Sequence, residues 1–231
     1  MSPRQKRGKG SGSAAPLTKE SVIKAAMDLA DEVGAASLTM RKLADKLGVE
    51  AMSLYYHVAN KDAILDGLLD SIYDEIELPS PGRPWKAEMR NRAFSAREVV
   101  LRHKWAVSLM DSQSNPGPPT IRYHNAALGT LRSDGFSIPM AAHAVSAIDA
   151  YTYGFVMQEE ALPFDTEEEL KMLADMMLQQ FPEREYPYFA ELVTKHALKP
   201  GYSYKDEFEF GLDLILDGLE QAISSPLETG S

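Results

Sequence analysis

The 231-residue sequence has no cysteine, which excludes a disulfide framework, a thiol nucleophile and any thiolate metal site. No stretch comes near the roughly 20 uninterrupted apolar residues that a bilayer crossing needs. A secretion signal is missing too: Arg4, Lys6, Arg7 and Lys9 are followed by Gly, Ser and Ala, with no apolar core. A cytoplasmic protein without a membrane partner is the expectation. Gly-x-Ser-x-Gly, the Gly-x-x-x-x-Gly-Lys-Ser/Thr phosphate loop and His-Glu-x-x-His are all absent, so the motifs of common hydrolases, nucleotide enzymes and zinc proteases are lacking. Convincing period-two alternation is absent as well, and strands are not expected.

What is present is enough apolar material, 44 %, for a packed core, and an uneven charge. The net charge of −10 hides a surplus of four positive charges in residues 1–61 and of fourteen negative ones beyond. A DNA-binding front on an acidic regulatory body would show this, and so would a basic tail on an ordinary acidic protein.

Residues 1–16 are Gly, Ser, Pro and Lys/Arg with almost nothing to bury, and read as a flexible basic arm. Thr18 caps a first helix in which Val22, Ala26, Leu29 and Val33 share a face, ended by Gly34. Thr39 caps a second, closed by Gly48, and Asn60 starts a helix running from Lys61 to about Tyr73. The Pro/Gly/Ser cluster at 78–84 is the clearest breaker, so the domains are placed at 17–77 and 78–231. Helices are expected at about 84–103, 120–132, 138–158, 166–180, 187–197 and 205–222. Trp105 to Met110 extends the first of these or forms a short helix. Thr166 with Glu169 makes a capping box. The fold class is all-α: an N-terminal three-helix helix-turn-helix domain plus a larger helical domain for ligand binding and dimerisation.

Reading duplex DNA requires a short helix held rigidly proud of the protein so that it enters the major groove. Leu43-Ala44 through Leu47-Gly48-Val49 to Leu54-Tyr55 meets that need. Ala44 is small where two helices cross, Gly48 permits a tight turn, and Val49, Leu54 and Val58 anchor the second helix. Glu50, Ala51, Ser53, Tyr55, Tyr56 and His57 are left for the other face. A plain helical hairpin inside a bundle is the structural alternative.

The run from Leu38-Thr39-Met40-Arg41-Lys42-Leu43-Ala44 to Tyr55-Tyr56-His57-Val58-Ala59-Asn60-Lys61 resembles the DNA-binding domain of the TetR (tetracycline repressor) family across residues 17–75. The resemblance implies that Thr39, Arg41, Ala51, Met52, Ser53, Tyr55, Tyr56, His57 and Lys61 face an operator. Thr39, Tyr56 and Lys61 then take phosphates, and Arg41 a phosphate or a guanine edge. Ser53 and Tyr55 are the base-edge candidates, and Ala51 and Met52 offer apolar contact to thymine methyls. His57 either touches DNA or packs against the following helix.

The C-terminal part resembles the tetracycline-repressor-type regulatory domain through Phe155 and Phe210-Gly211-Leu212-Asp213. The resemblance implies that helices near 138–158 and 207–221 pair with their copies in a homodimer. Val145, Ile148 and Phe155 stand among small residues on the first. Phe208, Leu212, Ile215 and Leu219 recur at spacings of 4, 3 and 4 on the second. The alternative is that both are core helices of a monomer. Phe94, Arg97, Val100, Leu101, Trp105, Met110, Tyr123, Tyr151, Met172 and Met176 are the candidate lining of a pocket for an unknown small-molecule effector, though each also suits a plain core.

No cofactor or metal is expected, since His103, His124 and His143 do not fall where tetracycline-binding members hold magnesium. The function implied is a repressor that sits on a palindromic operator as a homodimer and leaves it when an effector binds. A regulator released by a protein partner and a helical enzyme are the alternatives.

Overall fold

The computed structural model describes residues 16–110 and 112–224. The arm expected at 1–16 lies outside the described residues, apart from Pro16. Ten α-helices and no strand are present among the described residues, and the all-α expectation holds. None of the helices is long and apolar enough to cross a membrane.

The chain packs as two units, one reaching to Leu65 and one starting at Asp66. In the first, α1 (Lys19–Val33) begins on a capping box: Thr18 Oγ1 accepts from the Ser21 backbone N–H at 3.1 Å, and Ser21 Oγ accepts from that of Thr18 at 2.9 Å. After a 3₁₀ turn (Ala35–Ser37), α2 (Met40–Leu47) is capped by Thr39, whose hydroxyl accepts from the Lys42 N–H at 3.2 Å. Gly48 then takes φ +67°, a conformation that only glycine adopts cheaply. Next come α3 (Ala51–Leu54) and the first residues of α4 (Lys61–Glu75), whose Asn60 side chain accepts from Ala63 N–H at 2.8 Å. Val22, Ala26, Leu29, Leu38, Leu43, Ala44, Leu54 and Val58 are buried, whereas Val33, expected on the same face of α1, is exposed.

The second unit holds residues 66–75 of α4, α5 (Trp85–Arg102), α6 (Pro118–Ser133), α7 (Ile138–Glu160), α8 (Glu167–Gln180), α9 (Pro187–Leu192) and α10 (Tyr204–Ser224). A π-helical turn (Val193–Ala197) follows α9. The segment after α5 is not a helix: His103 breaks the dihedrals at φ −118°, ψ 64°, and isolated turns such as Ala106 N–H to His103 C=O follow. Helix α7 is central, packing on α5, α6 and α10. Trp85, Met89, Leu131, Phe136, Ile148, Phe155, Phe208 and Leu212 form one core there. Ser137 caps α7, and the Thr166–Glu169 capping box is made in both directions at the start of α8.

Candidate functional site

Helices α2 and α3 pack on each other, and Leu43, Ala44, Leu54 and, beyond them, Val58 are buried. That leaves a solvent face formed by the other side of α3 and the turn after it. Tyr56 is 88 % exposed, Met52 70 % and Tyr55 47 %. Ala51, Ser53 and His57 are half-buried, and Thr39 and Arg41 are exposed. This segment is regular only over Ala51–Leu54. Beyond it the bonds tighten, His57 N–H reaching Leu54 C=O at 2.9 Å and Tyr56 N–H reaching Ser53 C=O at 3.4 Å. Aromatic and β-branched residues in sequence, Tyr55-Tyr56-His57-Val58, give a weak helix former, and a short i→i+3 turn is the result.

Three cations of this unit are partly spent on the protein itself. Lys46 pairs with Glu32 at 2.6 Å, and Lys42 Nζ donates to the Ser37 carbonyl at 3.0 Å. Lys61 opens α4 with its Nζ 3.5 Å from the Ala36 carbonyl. Thr39 both caps α2 and keeps its hydroxyl proton for an acceptor in solvent. Arg4, Lys6, Arg7 and Lys9 carry the entire positive surplus of residues 1–61.

The residues expected to line one effector pocket fall in separate places. Phe94, Arg97 and Tyr151 belong to the packed aromatic core around Phe208. Phe94 meets it edge-on at 5.2 Å, Tyr151 stacks at 5.6 Å, and Arg97 lies over it while chelating Glu159. Leu101 is half-buried and Trp105 buried near His103. Val100 is fully buried. Met172 and Met176 are exposed on α8, at 65 % and 54 %. Methionine at helical spacing marks an apolar stripe, but not which side of the helix the fold covers.

Met110 does border a cavity, and Tyr123 is buried beside two of its lining residues. A cleft of about 200 Å³ is lined by Tyr73, Met110, Gln113, Pro116, Thr120, Ile121 and His124. The rings of Tyr73, Tyr123 and His124 group beside it, with centroids 4.8–5.5 Å apart. One wall is tied to α4 by a ladder of aspartates that sequence reasoning missed. Asp66 accepts from Ser114 N–H at 3.0 Å. Asp70 Oδ1 accepts from Gln113 Nε2 (3.1 Å), Gly117 N–H (3.0 Å) and Thr120 Oγ1 (2.7 Å). Asp74 pairs with Arg122 at 2.7 Å. A Cβ on Gly117 would fall 2.0 Å from Asp70 Oδ2, so glycine is what allows the chain to close on the carboxylate. The i, i+4, i+8 spacing of Asp66, Asp70 and Asp74 was the available signal. Among the described residues, no group of three or more histidine, aspartate or glutamate side chains is placed to hold a metal ion.

The residues expected at a dimer seam differ in burial. Ile148, Phe155, Phe208 and Leu212 are buried in the chain's own core, and Val145, Ile215 and Leu219 pack against it. The last three stay partly exposed on their helices. The apolar side chains left in solvent on the same two helices are Ile138 and Met157 of α7 and Phe210 and Leu214 of α10, the last two 65 % and 58 % exposed.

Against known families, residues 22–68 match the one described as bacterial regulatory proteins, tetR family, and residues 78–223 the tetracyclin repressor-like, C-terminal domain. The tetracycline repressor protein class D of Escherichia coli is 36 % identical over 149 residues, 63 % of this chain and 68 % of that protein. The class C repressor of Escherichia coli is 31 % identical over 210 residues, 89 % and 91 % of the two chains. The crystal structure of the Streptomyces coelicolor TetR family protein ActR in complex with actinorhodin superimposes with a TM-score of 0.75 at 26 % identity, covering 90 % of this chain and 99 % of ActR.

Proposed function

The chain belongs to the tetR family of bacterial regulatory proteins, a family of DNA-binding transcriptional regulators, and from that premise we propose that it is a repressor that binds an inverted-repeat operator as a homodimer and releases it on binding a small-molecule effector. The observation that carries the DNA half is the solvent face around α3. Two tyrosines and a methionine stand in water on a segment fixed by the Gly48 turn and by buried Leu54 and Val58. Large apolar and aromatic groups left exposed together mark a recognition surface. In this reading Ser53 and Tyr55 read base edges, and Ala51 and Met52 meet thymine methyls. Thr39, Tyr56 and Lys61 grip phosphates, and Arg41 and His57 flank them. The functional boundary is put after residue 77.

The homodimer is formed by the outer faces of α7 and α10, where Phe210 and Leu214 supply the apolar contact and Ala147, Ala150 and Gly154 permit close approach. The effector is a small molecule, in keeping with relatives named for tetracycline and a neighbour bound to actinorhodin. Its route to the DNA runs through α4, which supplies residues 61–65 to the first unit and 66–75 to the second. A ligand that alters the cleft wall at 113–122 acts on α4 through Asp66, Asp70 and Asp74. A tenfold loss of DNA affinity requires only about 1.4 kcal/mol of differential binding. Operator DNA must weaken effector binding by the same factor. No enzymatic step is part of this reading.

Selection of bound fragments from randomised duplex DNA tests the proposal. An inverted repeat with half-sites about one helical turn apart is expected, with affinity falling steeply with salt. Recovery of unrelated sequences would sink it.

A further inference from the structure

Arg92 is 1 % exposed in the middle of the second unit. Its Nη2 pairs with Asp149 at 2.8 Å, while Nε and Nη1 make no hydrogen bond within the protein. The guanidinium carbon lies over the Tyr123 ring, 4.3 Å from its centroid. The Tyr123 and Tyr153 hydroxyls, buried beside it, make no hydrogen bond of normal geometry either, although Tyr153 approaches Tyr123. Burial pushes both phenols above their ordinary value, so they remain protonated at neutral pH.

Buried donors without acceptors are costly and rare, and several converging in one place call for a partner. A guanidinium has donors only, so the partner must bring acceptor oxygens. Tyr73 and His124, whose rings pack on that of Tyr123, line the cleft together with the polar Gln113 and Thr120. At about 200 Å³ the cleft is below the roughly 300–1,000 Å³ of a drug-sized site.

We propose that Arg92, with Tyr123 and Tyr153, is the recognition point for a small planar aromatic acid, whose carboxylate meets the guanidinium while its ring lies among Tyr73, Tyr123 and His124. This names the effector class for the site proposed above and rests on that reading. Tyr123 covers the guanidinium in this structure, so the acid reaches Arg92 by displacing that ring. Tyr123 stands one turn beyond Thr120, which donates to Asp70 at 2.7 Å, and the displacement is thereby felt on α4.

The probe is 2-naphthoate, compared with its neutral near-isostere 2-acetylnaphthalene, titrated calorimetrically into the full-length protein. The parent should bind the acid at least tenfold more tightly than the ketone. Arg92→Met should erase the preference. Tyr153→Phe, which removes one hydroxyl and little else, should weaken the acid several-fold with helicity unchanged, and it decides the matter if Arg92→Met does not fold. Equal affinity of the parent for acid and ketone, including no binding of either, overturns the proposal, as does a Tyr153→Phe variant that binds the acid like the parent. A gel shift on the selected operator, run on the same samples, separates the two readings. A parent that binds operator yet ignores the acid refutes the effector class alone, and a parent that binds no duplex refutes the repressor.

Discussion

In the first unit the polar chemistry stands outside. Its buried residues are all apolar among those described, and Thr39, Arg41, Tyr55 and Tyr56 are exposed. In the second unit the arrangement is reversed. Arg92, Arg97, Thr120, Thr130 and Thr152, the buried polar residues among those described, all lie there. A surface that reads another macromolecule needs a dry, rigid support and a solvated face. An interior that answers a small molecule needs polar groups held where water does not compete. The cost of burying those groups is accepted where they have a partner, as Arg97 has in Glu159.

Each of the following would break or sharpen that contrast. The largest effect is expected where the second unit does expose apolar surface. Lysines at both Phe210 and Leu214 would put like charges across a two-fold seam and abolish the dimer, without touching the core stripe of Phe208 and Leu212. Light scattering checks it, and a dimer unchanged by both lysines would move the seam elsewhere.

Within the interior, Arg97→Ala leaves the Glu159 carboxylate, itself only 19 % exposed, without its chelating partner. A loss of about 3–5 kcal/mol is expected in denaturant unfolding, against less than about 0.5 kcal/mol for the exposed Arg41→Ala. Arg97→Met combined with Glu159→Leu should recover most of the loss. Similar costs for Arg97 and Arg41 would erase the contrast between the units.

Tyr55→Ala tests the outside of the first unit. It should cost about 1–3 kcal/mol on the selected operator and relax base preference there, while leaving the thermal transition in place. Lys61→Ala should weaken every duplex alike and flatten the salt dependence. Equal losses on cognate and random DNA for both variants would remove the distinction between reading and gripping.

The smallest effect concerns pH. Burial holds His124 below the ordinary histidine value of 6.5, with Arg92 adding to that and Asp149 opposing it. The unfolded chain therefore takes up the proton first. His124 contributes stability that is complete above pH 6.5 and is lost as pH falls through its depressed folded value. Melting temperatures between pH 7.5 and 5 should fall less steeply in His124→Gln than in the parent. Parallel slopes would show the ring to be solvated.

The sequence by itself determined what is local. Thr18, Thr39, Asn60, Ser137 and Thr166 cap helices through bonds to backbone groups three residues away, and Gly48 makes the turn because of its own dihedral freedom. The helix-turn-helix spacing is built from such short-range terms, so it was legible together with its outward residues. On α10 the periodicity revealed an apolar stripe, but a helix can carry two. Phe208 and Leu212 face the core while Phe210 and Leu214 face water, and only the neighbours α5 and α7 settle which is which. The same holds for Met172 and Met176. Tertiary structure alone decided the partnerships of Arg92 with Asp149, 57 residues away, and of Arg97 with Glu159, 62 residues away. No local preference encodes such pairs. Burial, which strengthens charge interactions and penalises the unpaired donor, exists only once the helices have packed.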